Sequence, residues 1–262
     1  GLRELFENAD YKPDMLKIYP CMVMPGTKLY DDWKSGKFIP LTTKEAAELI
    51  AEMKLYIPEW IRLMRVQRDI PTNATTAGVD RTNLRQYVEK LCKKRNIKCR
   101  CIRCREAGFN TIKQSNGEFK NSNSTDNNNQ DINIKNLKIK VIEYEASHGK
   151  EFFIAAEDVE NDVLFGYCRL RFPSQFLREE ITKDSALIRE LHVYSLAVSI
   201  GKISEDSFQH RGIGKKLMEK AEEIVKNSGK NKVIVIAGIG AREYFKKLGY
   251  NHDGPYMSKI FA

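Results

Sequence analysis

A short glycine-containing segment near the C-terminal end of the chain is the part of the sequence best suited to hold phosphate. It reads Gln209-His210-Arg211-Gly212-Ile213-Gly214 and lies between a predicted strand and a predicted helix. Two glycines let the backbone turn tightly and approach a ligand, and the N–H groups at a helix start point towards bound anions. Arg211, Lys215 and Lys216 add positive charge. The segment therefore predicts a pyrophosphate site, and the alternative is a glycine-rich turn that only begins a helix.

Three of the six cysteines, Cys99, Cys101 and Cys104, form a C-x-C-x-x-C pattern. In a reducing compartment this crowding indicates metal binding more than disulfides. Three thiolates so close together suit one tetrahedral zinc ion, and the neighbouring Arg and Lys residues favour the thiolate forms. We predict a structural zinc whose fourth ligand is Cys21, Cys92 or a histidine. Free thiols are the alternative.

Positive charge is concentrated in one window of the chain. The net charge is +9, and residues 60–108 carry 13 Lys and Arg against 4 Asp and Glu, so the rest of the sequence is neutral overall. Trp60 and Tyr87 lie within this window. Clustered basic residues beside aromatic ones are typical of a surface that binds a polyanion. A solvated basic surface is the alternative.

The elements that position these residues begin with an α/β pattern. Residues 15–24 are apolar enough for a strand and are followed by Pro25-Gly26. A helix is predicted from Thr42, which forms a capping box with Glu45, up to Pro58. A short strand is predicted over residues 60–66. An amphipathic helix with a basic outer face is predicted over residues 82–95.

The second half of the chain is rich in predicted strands. They are expected over residues 137–145, 151–157, 162–172, 187–198, 232–237 and 256–261, with helices over 214–228 and 241–248. Between the halves, residues 114–136 are rich in Asn, Ser, Asp and Lys and cannot fill a core. We therefore predict a mixed α/β fold with domains at 1–112 and 137–262 joined by a flexible linker at 113–136.

The glycine segment and a later aromatic helix together resemble the GNAT acetyltransferases. The helix reads Arg242-Glu243-Tyr244-Phe245-Lys246-Lys247-Leu248-Gly249-Tyr250, whereas many members of the family carry a second tyrosine where this chain has Phe245. The resemblance implies acetyl-CoA as the ligand and Tyr244 as a general acid towards the departing thiolate, with plain aromatic packing as the alternative. The implied acetyl-CoA contacts are Glu190, Leu191, His192, Val193, Gln209, Arg211, Gly212, Ile213, Gly214, Lys215, Tyr244 and Phe245.

Further strings, in order, resemble the Elongator catalytic subunit family, whose members join a radical-SAM domain to a GNAT-type domain. They are Leu16-Lys17-Ile18-Tyr19-Pro20, the Gly26–Trp33 segment, Arg65-Val66-Gln67-Arg68-Asp69-Ile70-Pro71, Cys104-Arg105-Glu106-Ala107-Gly108, Arg189-Glu190-Leu191-His192-Val193-Tyr194 and Asp253-Gly254-Pro255-Tyr256-Met257.

This resemblance implies acetyl-CoA-dependent carboxymethylation at C5 of the wobble uridine, position 34, of tRNA anticodons. The family uses a [4Fe-4S] cluster and S-adenosylmethionine to activate the acetyl group. The cysteine motif that holds that cluster is absent from this sequence. We therefore interpret the chain as a C-terminal remnant of a radical-SAM partial barrel followed by a GNAT domain, and we expect no radical step from it.

The same resemblance implies tRNA, not DNA, as the polyanion, and assembly as a homodimer or with Elongator-type partner subunits. The sequence contains neither a signal peptide nor an apolar run long enough for a membrane span, so we expect a soluble, cytoplasmic protein. Residues expected to contact phosphates of the anticodon stem-loop are Arg62, Arg65, Arg68, Arg81, Lys93, Lys94, Arg100, Arg103 and Arg105.

Two other functions fit parts of the sequence. A protein lysine (histone) acetyltransferase would use Glu190 or His192 as the catalytic base, although a basic surface repels lysine-rich tails. A non-enzymatic tRNA-binding scaffold would only sense acetyl-CoA. Acetyl-CoA hydrolysis measured with and without tRNA separates these functions.

Overall fold

The fold is described from a computed structural model covering residues 1–107, 137–194 and 212–261. The chain divides into two compact units. Unit 1 comprises Gly1–Asn8 and Lys12–Cys104, and unit 2 comprises Ala9–Tyr11 and Arg105–Ala262. The predicted linker at 113–136 lies outside the described residues. Among the residues that are described, no helix combines the length and apolar character needed to cross a bilayer.

Unit 1 consists of short helices and a two-stranded parallel sheet, in which Met15 of the first strand pairs with Arg62 of the second. Its elements are α1 (Leu2–Glu7), β1 (Met15–Lys17), α2 (Lys28–Lys34), α3 (Thr43–Met53), β2 (Arg62–Arg65), a 3₁₀ turn (Thr72–Ala74), α4 (Leu84–Lys94) and α5 (Ile102–Arg105), whose last residue belongs to unit 2.

The predicted capping box at the start of α3 is confirmed. The Thr42 hydroxyl accepts a hydrogen bond from the N–H of Glu45, and the Glu45 carboxylate accepts one from the N–H of Thr42. This satisfies two backbone donors that a helix start otherwise leaves unpaired. Helix α3 ends at Met53, four residues before the end predicted from the apolar spacing, and turns carry the chain on to Pro58.

Unit 2 is built on a seven-stranded mixed sheet with strand order β3-β4-β5-β6-β7-β9-β8. The pair β6 and β7 is parallel, and the other neighbouring strands are antiparallel. The elements are β3 (Leu137–Ala146), β4 (Gly149–Asp158), β5 (Val163–Phe172), β6 (Ser185–Val193), α6 (Ile213–Asn227), β7 (Lys232–Val235), a 3₁₀ turn (Ile239–Ala241), α7 (Arg242–Lys247), β8 (Asn251–Asp253) and β9 (Tyr256–Ile260).

Helix α6 lies on one face of this sheet and buries Leu217, Ala221 and Val225 in the main hydrophobic core of unit 2. These residues recur every four positions, the spacing that places side chains on one side of a helix. The core holds α6 firmly, so the backbone at its first turn is positioned relative to β6. The mixed α/β fold class predicted from the sequence is confirmed by this architecture.

Candidate functional site

Strand β6 separates from β7 halfway along its length. Their parallel pairing runs from Ser185 with Lys232 to Ile188 with Val235, and the Ile236 N–H donates a last hydrogen bond of 3.2 Å to the Ile188 carbonyl. On its other side β6 stays paired with β5 as far as Val193. Residues 190–193 therefore have no strand on their β7 side in the described part of the chain.

A β-bulge lies at the point where the strands separate. On β5, Arg169 and Leu170 are adjacent, but their partners on β6 are Glu190 and Ile188, so Arg189 is an extra residue. Bulges bend a strand and increase its twist. The bulge thus explains why β6 leaves β7, and it opens a gap beside the backbone predicted to contact acetyl-CoA.

The first turn of α6 lies beside this gap. Gly212 precedes the helix without a side-chain cap, and the buried Ile213 anchors the turn in the core. The first N–H groups of a helix have no partner within the helix and carry partial positive charge, so they suit a phosphate. Lys215 is exposed beside them. The predicted contacts Gln209 and Arg211 lie outside the described residues, as does His210.

Tyr244 on α7 reaches the same turn. A methyl group added at Gly214 would come within 2.7 Å of the Tyr244 hydroxyl oxygen and 3.6 Å of a methyl group of Val193. Gly214 therefore lets the phenol approach the α6 backbone closely. The structure brings together Val193, Gly214 and Tyr244, three of the acetyl-CoA contacts that the resemblance implied.

The helix that carries Tyr244 is fixed by aromatic packing. Phe245 is buried, meets the Tyr244 ring edge-on at 5.3 Å between centroids, and meets the Tyr250 ring at 5.9 Å. Gly249 has a φ of +86°, the left-handed conformation that favours glycine after a helix end. Gly249 therefore ends the helix that the sequence predicts over residues 241–248, and Phe245 packs in the core.

Partial burial raises the pKa of the Tyr244 phenol, and the nearby thiol of the buried Cys168 acts in the same direction. The phenol therefore keeps its proton across the neutral range. With 39% of its surface exposed, Tyr244 remains accessible to a ligand in the gap. A protonated, accessible phenol can donate a proton to a leaving group.

Glu190 and His192 lie on the opposite face of β6 from Val193 because strand residues alternate in direction. The carboxylate of Glu190 accepts hydrogen bonds from the Tyr167 hydroxyl and, at 2.9 Å, from the Arg169 guanidinium. Burial and the Glu190 carboxylate raise the pKa of Tyr167. Tyr167 therefore stays protonated and serves as a hydrogen-bond donor.

His192 belongs to a group of rings at the end of β6. It stacks on Tyr167 at 5.8 Å and contacts Tyr194 at 4.5 Å, both measured between ring centroids. His192 is exposed, whereas Tyr167 is buried. Glu190 and His192 were predicted from the sequence and Tyr167 and Arg169 were not, because only the pairing of β5 with β6 brings the four together. The alternation of polar and apolar residues along β5 was the available signal.

The cysteine cluster lies in unit 1. The sulfur atoms of Cys99, Cys101 and Cys104 all lie within 4.8 Å of one another. Zn–S bonds of about 2.3 Å in a tetrahedron place sulfur atoms roughly 3.8 Å apart. The cluster therefore fits a single zinc ion after small adjustments. Hydrogen bonds from the Cys101 and Cys99 thiols lower the pKa of Cys104, which gives the cluster a thiolate.

Lys54 accompanies this cluster and was not anticipated from the sequence. Its ammonium nitrogen lies 3.3 Å from the Cys104 sulfur, and the residue is buried. Burial alone would lower the pKa of Lys54, but its interactions with the cysteine cluster, that with Cys104 above all, outweigh burial and raise the pKa to about 12. A buried ammonium ion is therefore available to balance surplus thiolate charge. Of the proposed fourth ligands, Cys92 is buried and Cys21 is exposed.

Most residues of the predicted tRNA-binding set are at least partly exposed. Arg81, Lys93 and Lys94 are exposed, whereas Arg62 and Arg103 are half-buried. Several members of this group have partners within the chain: Arg81 pairs with Asp80 at 3.8 Å, Arg65 pairs with Asp69, Arg68 lies over the Tyr19 ring, and Arg100 pairs with Glu59 at 2.8 Å.

Arg105 is a correction to the predicted set. Its side chain is only 1% exposed and its guanidinium pairs with the buried carboxylate of Glu157 in unit 2. Removing such a charge from water is costly unless a partner compensates it, and Glu157 is that partner. Arg105 therefore holds unit 2 together and does not present its charge to a phosphate.

Comparison with known proteins gives two matching families. Residues 13–94 match the Radical_SAM C-terminal domain, and residues 122–250 match the acetyltransferase (GNAT) family. The tRNA uridine(34) acetyltransferase of Methanocaldococcus jannaschii is 44% identical over 259 residues, covering 98% of this chain and 45% of that protein. Elongator complex protein 3 of Saccharomyces cerevisiae is 38% identical over 261 residues, covering 98% of this chain and 44% of that protein.

A solved structure is similar over the same extent. Archaeal Elp3 of Methanocaldococcus infernus, with residues 1-46 deleted at its N-terminus, superimposes with a TM-score of 0.86 and 42% identity, covering 99% of this chain and 58% of that one. The chain spans about half the length of the curated relatives it matches, 45% and 44% for the two named above.

The fold and these matches define a GNAT acetyltransferase domain that follows the C-terminal domain of a radical-SAM protein. The chain belongs to the Elongator catalytic subunit family, as the resemblance in its sequence implied.

Proposed function

We propose that the chain binds acetyl-CoA in the gap between β6 and β7 and acts in acetyl transfer to tRNA. The observation that carries this proposal is the junction of Val193, Gly214 and Tyr244 at the gap. An exposed strand edge, an uncapped helix start and a protonated phenol meet there. These are the groups needed to hold an amide-containing arm, a diphosphate and a thiol, respectively.

Each part of the coenzyme has a matching part of the site. The free edge of residues 190–193 offers backbone groups to the pantetheine arm. The N–H groups at Gly212, Ile213 and Gly214 face the diphosphate, with positive charge from Lys215 and Arg211. Tyr244 protonates the departing thiolate, while Phe245 keeps its helix in place. Gln209, which lies outside the described residues, is a further proposed contact on the strength of the sequence motif alone.

The acceptor we propose is C5 of the wobble uridine, position 34, in a tRNA anticodon. Support comes from a relative named tRNA uridine(34) acetyltransferase and from the exposed basic residues of unit 1. A surface of this kind binds phosphate and releases counterions. We assign this chain acetyl-CoA and tRNA binding in the cytoplasm, together with Elongator-type partners or a second copy. We assign it no step of an iron–sulfur cluster or S-adenosylmethionine, because the cysteine motif that holds that cluster in the family does not occur in this sequence.

We further propose that Cys99, Cys101 and Cys104 hold a structural zinc ion. When bound, zinc would cross-link the C-terminal end of unit 1 to itself and stabilise its fold. Lys54 would offset the net negative charge of three thiolates on one divalent ion. Sites with three or four cysteine ligands are typically structural zinc sites, so the role that we propose for zinc is structural.

Protein lysine acetylation is the other acetyl transfer that the fold supports. It requires a base that can accept a proton from an amine. Both carboxylate oxygens of Glu190 already accept hydrogen bonds, one from Tyr167 and one from Arg169. This arrangement suits a carboxylate that orients its neighbours and argues against Glu190 as a free base. His192 is exposed and is the remaining candidate for this base, so its substitution tests the alternative.

Acetyl-CoA hydrolysis by this chain, with and without tRNA, tests the proposal. We expect measurable hydrolysis that tRNA stimulates and that Tyr244→Phe reduces. Acetylation of a lysine-rich peptide without tRNA, abolished by His192→Ala, would favour the protein acetyltransferase. Tight acetyl-CoA binding with no turnover under any condition would favour a scaffold that only senses the ligand.

A further inference from the structure

A groove between α3 and α4 in unit 1 has the composition of a nucleotide-binding site. Its volume is about 760 Å³, within the range of pockets that hold small ligands. Ala47 and Leu91 contribute apolar surface, Tyr87 contributes an aromatic ring, and basic side chains surround them. All of its lining residues belong to unit 1.

The aromatic and basic residues form a stripe along α4. Tyr87, Lys90, Leu91 and Lys94 follow one another at intervals of three and four residues, which places them on one face of the helix. Lys90 and Lys94 are separated by about 6 Å along the helix axis. Tyr87 is 39% exposed although it is a large aromatic residue. The stripe presents an accessible ring beside two ammonium groups.

Ion pairs leave the groove with surplus positive charge. Of its two carboxylates, Glu48 pairs with Arg95 at 3.5 Å, and Asp80 pairs with Arg81 at 3.8 Å and accepts a hydrogen bond from Thr43.

The ammonium groups of Lys44, Lys90 and Lys94 make no ion pair with a carboxylate in the described part of the chain, where the groove's ion pairs are those of Arg81 and Arg95. An anionic ligand can therefore bind these three ammonium groups without first displacing a carboxylate.

A groove in unit 2 provides a contrast. It lies beside the C-terminal half of α6 and has a volume of about 580 Å³. There Lys150 pairs with Glu143 at 2.6 Å and Lys220 pairs with Glu223 at 2.7 Å. Its charges are largely balanced, so it lacks the anion preference of the groove between α3 and α4.

We propose that the groove between α3 and α4 binds single-stranded RNA, with one base stacked on Tyr87 and the adjoining phosphates on Lys90 and Lys94. An exposed aromatic ring flanked by unpaired cations matches this ligand, because stacking and phosphate contacts act together on single strands. An acidic peptide would use the cations but not the ring. The inference rests on the proposed function, since it adds a second RNA contact to a tRNA-binding chain and extends the predicted set by Tyr87, Lys90 and Lys44.

The test distinguishes the contribution of base stacking to RNA binding from the contribution of phosphate contacts. The binding constant of the full chain for an oligouridylate of about eight nucleotides is measured across a salt series. We expect Tyr87→Ala to weaken binding about tenfold without changing the salt dependence, and Tyr87→Phe to preserve binding. We expect Lys90→Ala or Lys94→Ala to reduce the slope of log K against log salt by about 0.7 each. Tyr11→Ala and Lys37→Ala, at exposed positions outside the groove, are matched controls.

Photocrosslinking with 5-iodouridine in the oligonucleotide locates the stacked base. A crosslink at Tyr87 supports the inference. A crosslink elsewhere, a Tyr87→Ala effect equal to that of Tyr11→Ala, or equal competition by polyglutamate would overturn it, as would tighter binding of uridine monophosphate than of the oligonucleotide.

Hydrolysis assays distinguish this inference from the proposed function. If tRNA stimulates hydrolysis but Tyr87 plays no part in RNA binding, the groove is excluded and the proposed function stands. If the oligonucleotide crosslinks to Tyr87 but tRNA does not affect hydrolysis, the groove stands and the proposed function fails. If the chain binds no RNA at low salt, both are excluded.

Discussion

The hydroxyl of Tyr244 lies so close to the Cα atom of Gly214 that a methyl group there would come within 2.7 Å of the phenol oxygen. This contact joins α7 to the first turn of α6, where we propose that the coenzyme diphosphate binds. It makes position 214 sensitive to a single methyl group, because any added Cβ must move Tyr244.

We predict that Gly214→Ala separates stability from activity. Alanine in a helix is favoured over glycine by up to about 1 kcal/mol, and Tyr244 is exposed enough to swing away, so the free energy of unfolding should hold or rise. The displaced phenol should protonate the thiolate poorly, and acetyl-CoA hydrolysis should fall about tenfold or more. Urea denaturation and steady-state hydrolysis measure the two effects.

A double-mutant cycle provides the control for Gly214→Ala. In a Tyr244→Phe background the hydroxyl is gone, so the added methyl should cause little further loss of hydrolysis. Equal losses in both backgrounds would mean that Gly214 acts through the phosphate site alone.

The raised pKa of Tyr244 predicts a pH profile. Because burial raises this pKa above the ordinary value of about 10, the acid form persists through neutral pH. Hydrolysis should therefore decline only above about pH 10. Tyr244→Phe should lower the rate about a hundredfold and remove that decline. Tyr11→Phe, at an exposed position, should change neither. An unchanged high-pH limb in Tyr244→Phe would assign it to another group.

Helix ends and helix faces were predicted well where residues close together in the sequence determine them. The capping box at Thr42, the glycine after α7 and the four-residue repeat of α6 all appear in the structure. The predicted strand over residues 15–24 is wrong in length, because β1 ends at Lys17. Pro20 lacks the N–H that a strand needs, and only Val23 forms a further bridge, to Ala77.

Contacts between residues that are far apart in the sequence could not be predicted from local sequence patterns. Lys54 and Cys104 are fifty residues apart, and nothing near Lys54 marks it as a partner of thiols. The burial of Arg105 was likewise missed, because it lies in the basic window and its partner Glu157 is 52 residues further along the sequence. Charge counts along the chain therefore locate a basic region but do not distinguish a surface arginine from a buried one.

A network beside α7, where Tyr250 packs against Phe245, yields a stability prediction. The Tyr250 hydroxyl donates a 2.9 Å hydrogen bond to Glu222, whose carboxylate also pairs with Lys259. Tyr250→Phe removes a bond to a charged acceptor and should reduce the free energy of unfolding by about 2 kcal/mol at neutral pH.

The effect of Tyr250→Phe should depend on pH. Burial and Glu222 raise the pKa of Tyr250 in the folded state, so its contribution is complete below the unfolded value of about 10 and is lost as pH rises through the folded-state pKa. Urea denaturation from neutral to alkaline pH should show a steeper loss of stability in the wild-type chain than in the variant. Parallel curves would contradict the assignment.

The cysteine cluster predicts metal content. We expect about one zinc ion per chain, lost in Cys101→Ser together with stability of unit 1, because a thiolate ligand is removed. Cys168→Ala, at a cysteine of unit 2 outside the cluster, is the matched control and should retain the metal. Lys54→Gln should weaken zinc binding roughly 10- to 100-fold, the usual effect of removing a group that supports the ligands. Elemental analysis and competition with a chelator measure these quantities, and zinc retained in Cys101→Ser would refute the site.

Substituting the buried Arg105, which pairs with Glu157, should affect stability and not RNA binding, whereas substituting an exposed basic residue should do the reverse. Arg105→Leu leaves the Glu157 carboxylate buried without its closest cation, which should cost about 3 kcal/mol of stability. Since Arg105 does not reach solvent, the salt dependence of RNA binding should stay unchanged where the chain remains folded. Lys94→Ala should do the opposite, lowering the salt slope by about 0.7 with little effect on unfolding. If Arg105→Leu is fully folded and its RNA binding depends less on salt than that of the wild-type chain, Arg105 contacts phosphate and the correction is wrong.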